Sequence, residues 1–344
     1  MISIGFWSIP IALLIFGCLI FIHEFGHFIT ARIFGVTIKE FAIGMGPKLI
    51  SKTSKKSGTA YSLRLFPIGG YVSMEGENES SEDVNAFGNK AVWKRLIITV
   101  AGAVMNVLLG IVLMFILVFV TKSLASNTIA EFRENSVSSS SLMVNDTVLK
   151  VEDVIVNTGN ELVYEIMHQG AKPLTLTVIR DGEKMILHDV SFGNMTESGY
   201  TFGEVDFYVY SEAPTFLNLL KHAFFRSIST VKMIWDSVVD LFTGKYGVDA
   251  ISGPVGSPTA IGEAASAGGT NLLFIVVIIT MNLGVMNLLP FPALDGGRIL
   301  FLLIELVRRK PLKAEIEGYI NFAGLVILFG FMVFITFKDI IGLI

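Results

Sequence analysis

The chain has 344 residues, of which 52% are hydrophobic and only 16% charged, with a mean hydropathy of +0.65. Soluble domains usually carry about 25% charged residues, so this is the composition of a membrane protein. A net charge of −4 without a basic stripe excludes nucleic acid as a partner, and the one cysteine, Cys18, excludes an intrachain disulfide and a cysteine-rich metal site.

The N-terminus reads Met-Ile-Ser-Ile, with neither a positive n-region nor a small-residue cleavage site, so the first apolar run is expected to stay in the mature protein. Four segments are apolar enough to span a bilayer, roughly 4–34, 92–121, 271–304 and 319–343, each meeting the requirement of about 20 residues. The pattern predicts a polytopic α-helical membrane protein with about four transmembrane helices. Its parts are a first membrane half over 1–121, an inserted domain over 122–210, an amphipathic membrane-surface segment over 211–270 and a second membrane half over 271–344.

The first run is uncharged from Ile4 to Ile22 and then meets His23-Glu24-Phe25-Gly26-His27. On a helix, residues i and i+4 share a face, so both imidazoles can reach one Zn²⁺ while Glu24 stands beside its bound water as a base. The alternative is that the histidines only hydrogen-bond within a bundle. A charge near the membrane centre costs about 2.5–3.5 kcal/mol on insertion scales, so Glu24 needs a compensating partner, and a dication is one.

The loop at 35–91 alternates apolar with smaller or polar residues in "KEFAIGM", "YSLRLF" and "GGYVSM", with turns at 44–47 and 67–70. It reads as a membrane-associated β-rich loop, since non-helical backbone at membrane depth needs protein or a water-lined cavity around it. Lys39, Lys48, Lys52, Lys55, Lys56, Arg64 and Lys90 in this loop lie on the same side, by parity, as Arg308, Arg309, Lys310 and Lys313 in the loop at 305–318. Arg32, Lys94, Arg95 and Arg298 at helix ends add to that side, which the positive-inside rule makes cytoplasmic.

Residues of about 125–210 carry strand-like runs, including a hairpin around Asp181-Gly182, and predict a small β-rich domain facing outward. In 214–242, Phe216, Leu219, Leu220, Ala223, Phe224, Ile228, Val231, Trp235 and Val238 recur at helical spacing, interrupted by Lys221, Arg226, Lys232 and Asp236. That helix is expected at the membrane surface or packed on the bundle; an ordinary amphipathic core helix is the alternative.

A catalytic zinc needs a third protein ligand and an open position. Cys18 sits about 140° round the helix from His23 and reads as packing. His168 and His188 fall in the outward domain, His222 is expected at a surface, and Glu305 and Glu315 are expected to be solvated. Asp295 stands out, because no charge occurs from Asn271 to Leu294. Pro290 and Pro292 must unwind the helix there, which exposes backbone groups and the Asn287 amide to an extended peptide. The plainer alternative makes Asp295 a helix N-cap at a kink.

"HEFGH", "FAIGMGP", "PIGGYVSMEGE", "AGAVMN" and "MNLGVMNLLPFPALDGGR", in this order, resemble the site-2 protease family of intramembrane zinc metalloproteases, over the whole membrane region. The β-rich insert resembles the PDZ domain of the bacterial RseP type. The resemblance implies Zn²⁺ held by His23, His27 and Asp295, with Glu24 as general base. It further implies that Asn287 and the 61–74 strands, with Gly69 and Gly70, bind the substrate backbone. Asn106 and Asn282 are expected to support the ligands or to pack between helices; Gly102, Asn106 and Gly110 have the four-residue spacing of close helix packing. Position 103 is alanine where the family usually has proline. The insert lacks the glycines of a PDZ ligand loop, which argues against ordinary capture of C-termini, and it is single where some relatives carry two.

The expected function is cleavage of membrane-spanning protein or peptide substrates near the cytoplasmic face of a bacterial cell membrane, in regulated intramembrane proteolysis. Anti-sigma factors and signal-peptide remnants are equally admissible as substrates. A metal transporter would want inverted repeats and several metal-path carboxylates, which are not seen. A catalytically silent scaffold would tolerate loss of Glu24 or Asp295, and both are present.

Overall fold

The computed structural model describes residues 8–77, 79–197, 199–247, 253 and 256–343. Helix α1 (Ser8–Ile33) carries the first apolar run. It ends where Gly35 turns left-handed, with φ +66°. The Val36 N–H bonds the Ala31 carbonyl at 2.8 Å and the Gly35 N–H bonds that of Arg32 at 3.2 Å, the paired bonds of a Schellman ending.

Strands β1 (Ile38–Thr53) and β2 (Ala60–Met74) form the expected β-structure and pair antiparallel. Glu40–Ile43 finds partners on both sides, Gly70–Ser73 and Ala60–Leu63, while Lys48–Thr53 pairs back with Ala60–Arg64. The far edge of Gly70–Met74 therefore has no strand partner among the described residues. Phe28 and Ala31 of α1 share a buried core with Val36, Phe41, Val72 and Ile98, which presses β2 onto α1.

Helix α2 (Val92–Thr121) crosses α1 closely: a Cβ on Gly26 would overlap the Ala101 carbonyl. After α5 (Gly256–Ala267), helix α6 (Gly269–Asn287) stops before the two prolines and the chain restarts as α7 (Asp295–Arg308). Ala293 takes φ +73° in the break. Gly296 and Gly297 let α7 begin against the backbone of Leu288, Leu289 and Phe291, where any Cβ would collide. Helix α8 (Ala314–Leu343) starts some residues ahead of the expected span. Among the described residues, α1, α2, α6 and α8 are the four helices long and apolar enough to cross a membrane. The protein is thus a polytopic membrane protein with β-rich regions.

The chain divides into two compact units, one from residues up to Gly110 with those from Gly247 onward, the other Ile111–Tyr246. In the second unit β3 (Ala125–Phe132), β4 (Thr147–Val151), β6 (Leu174–Arg180), β7 (Glu183–Val190) and β10 (Phe207–Ser211) form a sheet in the order β10–β3–β4–β6–β7, with β5 (Val154–Ile155) paired to β4, while β8 (Gly193–Glu197) and β9 (Tyr200–Glu204) pair separately. The expected hairpin joins β6 to β7 through Asp181 and Gly182, at φ 50° and 85°, both positive as a type I′ turn requires. Ile129, Val148, Leu162, Ile166, Leu176 and Val178 centre its core. Helix α4 (Phe216–Thr243) belongs to this unit and holds helix α3 (Gly159–Gln169) through polar contacts, His168–Asp240 at 2.7 Å and Tyr164–Asp236 at 2.9 Å.

Candidate metal centre

Helix α1 sets His23 and His27 one turn apart, and the restart of the chain at α7 brings Asp295 to them. His23 Nε2 and His27 Nε2 lie 3.2 Å apart, and Asp295 Oδ2 lies 3.1 and 3.4 Å from them. Ligands at 2.0–2.1 Å on a tetrahedral zinc stand about 3.3 Å from one another. The triangle therefore has the size of one face of a zinc coordination sphere. Among the described residues this is the one such cluster of histidine, cysteine and carboxylate ligands. Asp295 Oδ2 is buried without a hydrogen-bond partner, a costly state for a carboxylate oxygen unless a cation meets it.

The atoms behind the donors fit the same role. His27 Nδ1 donates to the Ile98 carbonyl at 2.8 Å, which leaves Nε2 with its lone pair toward Asp295. His23 Nδ1 lies 3.3 Å from the buried Asn106 amide. When Nε2 binds metal, Nδ1 carries the proton, and Asn106 Oδ1, otherwise without a partner, accepts it once the amide is turned. Gly102 is a cradle: a Cβ there would overlap His27 Nε2 and come within 2.8 Å of His23 Cε1. The bare backbone of α2 is what gives both rings room.

Glu24 is not one of the three converging donors. It lines a cavity of about 150 Å³ shared with His23, His27, Asp295, Thr99 and Val72. Gly70 of β2 lies beside it: a Cβ there would meet Glu24 Cγ at an ordinary 3.4 Å but would crowd the Ala42 carbonyl at 2.9 Å, so the bare backbone serves the close pairing with β1. Gly69 turns left-handed, with φ +89°, just before that stretch. On the β1 side, burial alone would raise the Glu40 carboxyl, but hydrogen bonds from Ser62, Tyr71, Lys48 and Arg64 hold it down at about 2. That network pins Tyr71, whose hydroxyl donates to Glu40 at 2.9 Å.

Other expectations are placed differently. Asn287 donates its amide to its own helix, at the Leu283 carbonyl 2.9 Å away, and is not part of the cavity wall. Asn282 is exposed on α6, so it neither packs nor supports a ligand; helical rotation from the buried Met281 turns it outward. Cys18 does face away from His23, but it is exposed rather than packed. His222 is wholly buried, not at a surface, because it shares the inward face of α4 with Leu219 and Ala223. Glu305 is bound rather than solvated: Arg95 Nη1 donates to it at 3.0 Å and both side chains are nearly enclosed, whereas Glu315 is exposed. Asp295 is the first residue of α7 and Leu294 its cap, so the N-cap alternative is not realised. His168 pairs with Asp240 and His188 is exposed.

Sequence reasoning missed two contributors. Gly102 was legible only as a packing glycine, and Arg298 only as one more positive charge, although it is ion-paired with Glu77 at the cavity edge. Nothing in a single sequence links Glu77 to a residue more than two hundred positions on.

A membrane helix that offers two histidines to a carboxylate from a broken helix defines a class, and the comparisons agree. Residues 11–331 match peptidase family M50, the site-2 protease family, and the chain belongs to it. A Clostridium acetobutylicum protein named as a zinc metalloprotease is 34% identical over 338 residues, covering 98% of each chain. The regulator of sigma-W protease RasP of Bacillus subtilis is 28% identical over 415 residues, covering 95% of this chain and 97% of its own. The zinc metalloprotease RasP of Shouchella clausii is similar at 28% over 417 residues, with 95% and 97% covered. The protein is a zinc metalloprotease and its cofactor is Zn²⁺.

Proposed function

We propose that the protein is an intramembrane endopeptidase whose zinc is held by His23, His27 and Asp295. The observation that carries this reading is the buried triangle of donor atoms, 3.1–3.4 Å on a side, formed by a helix apolar enough to span a bilayer. Zinc held by these donors would lower the pKa of a water toward about 7 and polarise a peptide carbonyl. Glu24, in the same cavity, would act as the general base toward the attacking water and return the proton to the leaving amine. The free edge of Gly70–Met74 holds the substrate extended. A spanning helix hides its amides in its own hydrogen bonds, so it must unwind before attack, and pairing with a strand edge offsets the bonds lost. Asn287 assists only if its amide leaves the Leu283 carbonyl.

The substrates are membrane-spanning segments, among them anti-sigma factors, a class in keeping with the sigma-W regulation in the Bacillus relative's name, or remnants of signal peptides. The positive-inside pattern of the basic loops supports a centre toward the cytoplasmic face of a bacterial cell membrane with the β-rich insert outside, where its PDZ-like role is to favour substrates already shortened. Purified protein should cut a single-span model peptide within the span, and a zinc chelator should abolish the cut. Cleavage that survives full chelation, or none by a zinc-loaded native protein, would refute the proposal.

A further inference from the structure

Two cavities meet at Asp295. The smaller contains the donor atoms; the other, of about 760 Å³, is a cleft lined by the segment after β2, by α7 and by the start of α8. Glu77, Asp295 and Arg298 line both. Arg298 stands three residues after Asp295, on the same face of α7. Its guanidinium is ion-paired with the Glu77 carboxylate, donates from Nη2 to the Glu77 carbonyl at 2.6 Å, and lies 4.8 Å from the Phe87 ring centre. Glu77 is anchored in turn, its Oε2 accepting the Met74 N–H at 3.1 Å. The end of β2, whose edge is the proposed substrate strand, is thereby fastened to the turn of α7 that carries Asp295.

We propose that the Glu77–Arg298 pair is a removable partition between the cleft and the metal cavity, controlling the passage of water and small hydrophilic solutes to the donor atoms. The proposal rests on the reading that those atoms hold zinc. Two features make a side-chain partition workable. Arg298 is 24% and Glu77 17% exposed, so when the pair opens both charges are taken up by water in the cleft. Along α7, Glu305 is clamped to Arg95 of α2 with only 12% and 11% exposed, which holds the helix while Arg298 swings. Hydrolysis consumes one water per cut, and the pair sits where that water must be supplied without leaving the centre open to the cleft at all times.

The test uses the full chain, zinc-loaded, in lipid nanodiscs. The first readout is the rate at which EDTA strips zinc from native protein, from Arg298→Lys, and from the double variant Glu77→Gln with Arg298→Met, which leaves no lone charge. The second needs no metal: Thr99 lines the small cavity, so Thr99→Cys in a Cys18→Ala background is labelled with a small charged thiol reagent, with and without the double variant. The partition predicts about tenfold faster stripping and labelling in the double variant, an intermediate rate for lysine, and unchanged zinc content and equilibrium affinity. Unchanged rates overturn it. Faster stripping wholly explained by weaker zinc affinity, with unchanged labelling, also overturns it and makes the pair a positioning contact for Asp295. A native protein that binds no zinc refutes the metal reading instead, and the labelling result still decides the partition.

Discussion

Gly102→Ala should disable the centre without touching any residue that bears a donor atom. A Cβ at this position would overlap His27 Nε2 and stand 2.7 Å from His27 Cε1 and 2.8 Å from His23 Cε1, where ordinary contact begins at 3.4 Å. The His27 ring must therefore retreat by roughly 1.0 Å and the His23 ring by roughly 0.6 Å, while metal–ligand distances tolerate only about ±0.2 Å. The obstacle is backbone-mounted, so it cannot rotate away, and the His27 ring is itself tethered to the Ile98 carbonyl at 2.8 Å. Loss of a group that merely supports a ligand weakens metal binding about 10–100-fold. Displacing two ligands should cost at least the upper value, about 2.7 kcal/mol. Competition against a chromophoric chelator measures the affinity, and far-ultraviolet circular dichroism checks that the helices remain. Gly110→Ala is the control, since its Cβ would meet the side chains of Met281 and Thr280 and not the histidines. It should leave zinc affinity unchanged. If Gly102→Ala binds zinc as the native chain does, the close seat of the imidazoles on α2 is wrong.

Glu24→Gln should retain one zinc and lose cleavage by about 100-fold or more, because the amide keeps the size of the side chain but cannot take a proton; a single-turnover assay on a spanning peptide reads this, and near-native turnover would remove Glu24 as the base. His222, on a helix that is not among the four candidate spans, offers a pH prediction. Burial holds its imidazole below the ordinary value, outweighing the pull of Glu212. As pH falls past about 6.5 the unfolded chain gains a proton that the folded unit resists, so stability is full above that pH and declines below it. Hydrogen-exchange protection factors on α4 in the intact protein, corrected for the intrinsic pH dependence of exchange, should therefore fall between about pH 7 and pH 5, and His222→Phe should flatten the dependence; an unchanged slope in that variant would assign the loss to other groups.

The membrane frame was legible because its physics is local. An uncharged run announces a span, and paired prolines announce a break, which is why α2 occupies the expected 92–121, α1 ends beside the expected residue 34, and α6 begins beside the expected residue 271 but stops at Asn287, ahead of the prolines and short of the expected 304. The His23–His27 spacing could be read for the same reason, as a consequence of helical pitch. Asp295 was singled out by its isolation in apolar sequence, but its distance from the histidines depends on how α7 restarts, and that depends on Gly296 and Gly297 lying against the preceding backbone. What stayed hidden was orientation set by partners from distant sequence. His222 looked like a surface residue until Leu219 and Ala223 turned its face inward, and Glu305 looked solvated until Arg95 reached it from α2. Asn282 failed in the other direction, since polarity next to a motif says nothing about which side of a helix it occupies.

The central claim is the identity of the ligands, and five histidines in the chain make it decidable. Zinc content should be measured on purified native protein and on His23→Ala, His27→Ala, Asp295→Ala, His168→Ala, His188→Ala and His222→Phe, each checked for its fold. The account predicts about one zinc per native chain, near-complete loss in the first three variants and full retention in the last three. Full zinc in Asp295→Ala, or its loss on removal of His168, His188 or His222, would contradict it.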